Sequence, residues 1–166
     1  MRRNRAMAAF SLLLAALMLL SACSGGRGEK DGLLLYYTPA DVSGGSALVG
    51  EPSGLSEEEA TPQSLMAALL SGPADAGLRS PIPQGVELLG TVQDGGCVTV
   101  DLSERYGGLS DMELTLADYA ITLTLCQLPG VESVRITAAG GAVSGRAPRE
   151  LRPDDLLLSG EPPAQD

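Results

Sequence analysis

The tetrapeptide Gln93-Asp94-Gly95-Gly96 constrains the fold of this chain more than any other stretch. Asp-Gly and Gly-Gly supply the positive φ angles that tight hairpin turns require, so the flanking segments, Val86 to Val92 and Cys97 to Leu102, are predicted to be two antiparallel strands. Side chains alternate along a strand, which puts Val98, Val100 and Leu102 on one face and Cys97, Thr99 and Asp101 on the other. The aliphatic set marks the core face. One Phe, four Tyr and no Trp in the whole chain require that this core be built from Leu, Val, Ile and Ala. The same scarcity argues against a base-stacking platform or an aromatic sugar-binding cleft.

Other elements can be placed around the hairpin. Leu33 to Thr38 is a β-prone run closed by Pro39, and Ser46 to Glu51 reads as an edge strand ended by Pro52. Thr61 followed by Pro62 fits a helix N-cap with proline at the first helical position, where its missing N–H costs nothing. Leu65, Met66, Leu69 and Leu70 recur at helical spacing until Gly72-Pro73 ends the run. Pro81 and Pro83 hold Gly77 to Gly85 on an extended path. Ser110-Asp111-Met112-Glu113 matches a capping box and opens a helix that runs to Gln127 or Leu128. Its stripe, Ala117, Ala120, Ile121, Thr124, Leu125 and Leu128, is broad enough for burial against a sheet. Val131 to Ala138 alternates Val134, Ile136 and Ala138 with Ser133, Arg135 and Thr137, the pattern of a half-exposed strand. This order predicts one small α/β (α+β) domain, with two helices packed on one face of a mixed sheet of about four to five strands. Beyond Gly140-Gly141, residues 141–166 form a polar, partly disordered extension whose apolar anchor is Leu156-Leu157-Leu158, with Gly160 to Asp166 loose.

The first residues do not belong to that fold. Arg2, Arg3 and Arg5 precede an apolar run from Ala6 to Leu20, shorter than the about 20 residues a spanning helix needs, so 1–22 reads as a secretory leader that is removed. Leu20-Ser21-Ala22-Cys23 resembles the bacterial lipobox, whose cysteine receives a diacylglycerol and becomes the new N-terminus. Ser24-Gly25-Gly26-Arg27-Gly28 follows as a flexible tether within 23–32. The resemblance implies an acyl anchor on Cys23 that holds the chain on the extracytoplasmic face of the cytoplasmic membrane. The whole chain carries 11 basic and 21 acidic residues; loss of Arg2, Arg3 and Arg5 leaves eight basic side chains, a net charge of −13. So acidic a protein repels nucleic acid and anionic headgroups, and nucleic-acid binding is discarded.

Four further segments carry a family resemblance. Leu69-Leu70-Ser71-Gly72-Pro73, Gly77-Leu78-Arg79-Ser80-Pro81-Ile82-Pro83-Gln84-Gly85-Val86, Val100-Asp101-Leu102-Ser103 and Thr124-Leu125-Cys126-Gln127-Leu128-Pro129-Gly130-Val131 are similar, in order and separation, to the GerMN domain. That family occurs in spore germination and sporulation lipoproteins of endospore-forming bacteria and in an actinobacterial envelope lipoprotein. Over residues 33–140 the resemblance implies a fold like the ring-building modules of secretion complexes, acting by protein–protein contact with no enzymatic activity. It differs from sporulation members that carry two copies, because this chain has one.

Chemistry read from the residues points the same way. Histidine is absent, which removes the commonest general base and most zinc sites. Lys30, the only lysine, lies in the tether and so cannot serve as the base for a serine nucleophile. Asp101 and Glu104 are the nearest approach to the paired carboxylates of glycan hydrolysis, but their positions favour a solvated charged edge. No EF-hand spacing is present, and neither a metal nor a cofactor is expected. With Cys23 acylated, Cys97 and Cys126 remain; a bond between them would close about 30 residues and add roughly 3 kcal/mol. Cys97 faces away from Val98 and Val100 unless a bulge at Gly95-Gly96 resets its parity, so a disulfide and two separate thiols stand level. Two functions remain open. One is a lipoprotein that docks envelope or sporulation proteins, with Ser46 to Glu51 as the docking edge. The other is a lipoprotein that captures a small ligand or cell-wall fragment at the rim formed by Gly77 to Gly85.

Overall fold

The computed structural model of the chain describes residues 32–41, 46–145 and 147–156. The expected leader, the lipidation site Cys23, nearly all of the tether, Leu157, Leu158 and the C-terminal tail lie outside the described residues. The elements are β1 (Leu34–Pro39), β2 (Val49–Pro52), α1 (Pro62–Ser71), β3 (Leu78–Arg79), β4 (Leu88–Asp94), β5 (Cys97–Leu102), α2 (Asp111–Leu125), β6 (Ser133–Ala138) and β7 (Glu150–Leu151). Short 3-10 turns cover Glu104–Gly108 and Pro153–Asp155.

The hairpin is present with Gly95 at φ +57°, and Asp94 pairs directly with Cys97 across it. Its first strand starts and ends two residues later than expected, because Val86 is drawn into a turn whose N–H donates to the Pro83 carbonyl at 3.3 Å. The bulge lies between Leu88 and Gly90, not at Gly95-Gly96, so Cys97 keeps the face opposite Val98. Val98, Val100 and Leu102 are fully buried, as the alternation requires.

Both helices begin where their caps predict. At α1 the Thr61 hydroxyl accepts from the Ser64 N–H at 3.1 Å while the Ser64 hydroxyl accepts from the Thr61 N–H at 2.8 Å. Gly72 ends that helix at φ +86°, a conformation that side chains with a Cβ resist. At α2 the Glu113 carboxylate accepts from the Ser110 N–H at 3.1 Å and from its hydroxyl at 2.6 Å. The predicted stripe is buried throughout, and Leu114 and Thr122 join it.

The α+β class with two helices is as expected, but the strands of the described residues divide between two sheets instead of forming one. A three-stranded antiparallel sheet has the order β2-β1-β3, and a four-stranded mixed sheet has the order β4-β5-β6-β7. β5 and β6 are parallel and joined through α2, while β4 and β7 pair antiparallel at the two edges. Helix α2 touches β1 of the first sheet and β6 of the second, so it is covered on more than one side and not laid on an open face. One core results, contributed by Tyr37 from β1, Leu65 and Leu69 from α1, Val100 from β5, Ile121 from α2 and Val134 from β6. Strand β6 also departs from its expected half-exposure: Ser133 and Thr137 are buried along with Val134 and Ile136. It is an inner strand flanked by β5 and β7, and the 3-10 turn after β5 packs on it.

Candidate interaction surface

Among the described residues the candidate surfaces are sheet edges, grooves and polar clusters. The second edge of β1 is closed before β3 reaches it. The Gln127 side-chain amide, two residues past the end of α2, accepts from the Leu34 N–H at 2.9 Å through Oε1 and donates to the Leu34 carbonyl at 2.7 Å through Nε2. Thr124 Oγ1, one helical turn earlier, accepts from the Tyr36 N–H at 3.3 Å. Two side chains thus take the place of a neighbouring strand until β3 pairs with Thr38 and Pro39. Thr124 was expected only as a stripe position; a polar pair at i and i+3 at the end of an apolar helix was the available signal.

The open edges differ in how they are guarded. Strand β2, the expected docking edge, is four residues long and ends at Pro52. Its Glu51 carboxylate is spent on the loop opposite, accepting from the Ala74 and Asp75 N–H groups at 3.1 and 2.7 Å. Strands β3 and β7 have two residues each, and β7 is bridged to β6 by Arg135 and Glu150 at 2.7 Å. Strand β4 has seven residues and leaves Leu89 54% and Val92 67% exposed.

Of the two carboxylates singled out by sequence, Asp101 serves structure and Glu104 is exposed. Asp101 Oδ1 accepts from the Thr137 hydroxyl at 2.7 Å and from the Gly140 N–H at 2.8 Å, which fixes the turn after β6. Glu104 lies on the 3-10 turn at the rim of an open groove of about 470 Å³ lined also by Gly107, Ala139 and Ser144. A second groove of about 340 Å³ lies between Ser80, Pro81 and Pro83 on one side and Leu109, Glu113 and Leu116 on the other. Its rim is the segment to which ligand capture was tied. Among the described residues no three His, Cys, Asp or Glu side chains converge to hold a metal ion, and no helix is long and apolar enough to cross a membrane.

Perturbed acid–base groups often mark reactive sites. Here they mark buried packing at Tyr37, Tyr106 and Cys126 and exposed caps at Glu59 and Glu113. Cys97 and Cys126 are free thiols in the structure. Burial, with a smaller contribution from Cys97, pushes the Cys126 thiol up to about 11, which disfavours the nucleophilic thiolate. Burial followed by Glu51 raises Tyr37 to about 12, and burial followed by Asp118 carries Tyr106 well above the ordinary 10.0 of a tyrosine. Hydrogen bonds from Ser56 and Ser110 hold Glu59 and Glu113 below the usual carboxylate range. A raised pKa means that the folded state holds its proton more tightly. The associated stability is therefore complete below the unfolded values, 9.0 for Cys126 and 10.0 for the tyrosines, and is lost as pH rises through the folded ones. Thermal melts at stepped pH are expected to show a falling melting temperature from about pH 9 toward pH 12. A flat profile over that range would mean that these three groups are solvated.

Known proteins resemble this chain at the level of its whole folded body. The Germane family, described as Sporulation and spore germination, matches residues 34–144. Lipoprotein LpqB of Cutibacterium acnes is 35% identical over 102 residues, which takes in 58% of this chain and 17% of that protein's length. The tandem GerMN domains of the sporulation protein GerM from Bacillus subtilis superpose with a TM-score of 0.57 at 19% identity, covering 74% of this chain and 46% of theirs. The first GerMN domain of the same protein gives 0.55 at 18% identity, covering 74% of this chain and 98% of that one. At such identity the likeness is one of fold.

Proposed function

The chain belongs to the Germane (GerMN) family, and from that membership we propose that it is a lipid-anchored, non-enzymatic docking module of the cell envelope, with a part in sporulation or spore germination assemblies. The observation that carries this reading is that the family match spans β1 to the loop after β6, which is nearly the entire body described. Within it Asp101 holds the turn after β6, Glu113 caps α2 and burial keeps the Cys126 thiol protonated. Diacylglycerol on Cys23 would hold the module on the extracytoplasmic face of the cytoplasmic membrane, and two acyl chains suffice for a stable anchor. That LpqB is named a lipoprotein supports this placement.

Cross-linking the full-length chain in intact cells and isolating it from membranes tests the docking role. Specific envelope proteins joined to it are the expected result; a muropeptide recovered with no protein partner would establish the capture reading instead. Replacing Cys23 with serine is expected to abolish the diacylglycerol adduct and, with it, removal of the leader ahead of residue 23, both read by intact mass. The intact mass of the wild-type chain should begin at Cys23 and carry the diacylglycerol adduct, and the same spectrum reads whether Cys97 and Cys126 have lost two hydrogens to a disulfide. A serine variant that still loses residues 1–22 would overturn the acyl anchor.

A further inference from the structure

Natural sheets guard their edges with proline, lysine, short length or a covering element, because an unguarded row of N–H and C=O groups recruits another strand. In this chain the guards are distributed unevenly. Beyond its bulge at Leu88–Gly90, β4 runs regularly from Thr91 to Asp94 in pairing with Val100 to Cys97, with no proline and no basic residue. Among the described residues its backbone bonds to β5 alone along that stretch. The large apolar side chain exposed along that stretch is Val92.

Charge selects the occupant. The hairpin from Leu88 to Leu102 contains no Lys or Arg, and exposed Glu87 and Asp94 stand at the two ends of β4. Glu132 is exposed as well, and its carboxylate lies over the hairpin turn, so close that a Cβ on Gly96 would sit 3.1–3.3 Å from its atoms. Asp94 and Glu132 therefore make the tip of the hairpin acidic, in a chain already at net charge −10. A second copy would bring the same carboxylates to the same edge. We propose that β4 is the docking edge and that its occupant is an extended segment of a basic partner protein, added as a further strand beside Thr91–Asp94. An apolar side chain of that segment covers Val92, and its Lys or Arg residues meet the carboxylates at the two ends. This inference rests on the docking function and names the edge and the partner chemistry; it replaces the β2 edge expected from sequence.

The test uses the full lipidated chain in detergent micelles and two synthetic peptides, acetyl-Lys-Thr-Val-Thr-Val-Thr-Val-Thr-Lys-amide and its twin with Glu at both ends. The lysine peptide is expected to bind and to slow amide hydrogen exchange at Thr91–Asp94, with the glutamate twin weaker by about tenfold and the preference shrinking as salt rises. Val92→Lys, at a site exposed enough to leave the melting temperature unchanged, should weaken the lysine peptide by about tenfold. Equal binding of the two peptides, no binding of either, or protection at Val49–Pro52 in place of β4 would each overturn the proposal. A dimer that forms without peptide and dissociates on Val92→Lys would overturn it in favour of a second copy. If Val92→Lys loses the peptide yet cross-links the same envelope proteins as wild type, the edge assignment fails while the docking function stands. If the peptide binds as expected but wild type cross-links no protein, the docking function fails and the edge assignment stands.

Discussion

Replacing Tyr106 with alanine is expected to lower the unfolding free energy by about 3–5 kcal/mol, the cost of removing a large aromatic from a packed core. Tyr106 is fully buried although it sits on a five-residue 3-10 turn between β5 and α2. Its ring belongs to the single core, and its hydroxyl donates to Asp118 Oδ1 on α2 at 2.7 Å. The side chain therefore ties the exit of β5 to the helix that carries the chain on to β6, and alanine removes the ring and the bond together. Domains of this size are stable by about 5–15 kcal/mol, so such a loss populates the unfolded state. Tyr106→Phe separates the two contributions: it keeps the ring and is expected to cost about 1–3 kcal/mol, the worth of a hydrogen bond to a charged acceptor. Urea unfolding of the two variants reads the difference. Equal losses would place the energy in the hydroxyl, and an alanine variant within about 1 kcal/mol of wild type would mean that the turn does not bury its aromatic as described.

What could be read in advance was what is local. The β4–β5 turn, the alternation of β5, the caps at Thr61 and Ser110 and the stop at Gly72 each depend on residues within a few positions of one another, and each is where the pattern puts it. The division into two sheets depends instead on contacts between β1 and the end of α2, some 88 to 93 positions apart, for which hydrophobic period carries no signal. Alternation reports a half-wet strand only where one face is wet, and β6, flanked on both sides and packed by the turn that bears Tyr106, buries Ser133 and Thr137 despite their polarity. Asp101 illustrates the same limit: its composition suits a solvated edge, but its partners Thr137 and Gly140 arrive through the fold. Both β2 and β4 read as strands, and only the strand order leaves β4 on an edge longer and less guarded than that of β2.

Gln127→Ala is expected to cost about 1–3 kcal/mol and to do so at one place, the first residue of β1. The amide closes a two-way exchange with the Leu34 backbone and also donates to the Leu123 and Thr124 carbonyls at 3.0 and 3.2 Å, so it holds the end of α2 and the start of β1 as one unit. Without it, the Leu34 N–H and C=O on that side of β1 depend on water, and the neighbouring Thr124 bond to Tyr36, at 3.3 Å, is the weaker of the two links. Partial exposure of the site keeps the loss below that of a fully buried pair. Hydrogen exchange is the discriminating measurement: the Leu34 and Tyr36 amides should exchange faster by a larger factor than the core amides of Val98 and Val100, because the first strand frays before the molecule unfolds. The functional consequence follows from position. On the proposed reading of an anchor at Cys23, fraying β1 would move the start of the ordered body farther along the chain from that anchor. Uniform acceleration of exchange across all four amides would show that Gln127 supports global stability and not the junction. Unchanged exchange at Leu34 would show that pairing with β2 on the opposite edge keeps the start of β1 in place without the Gln127 amide.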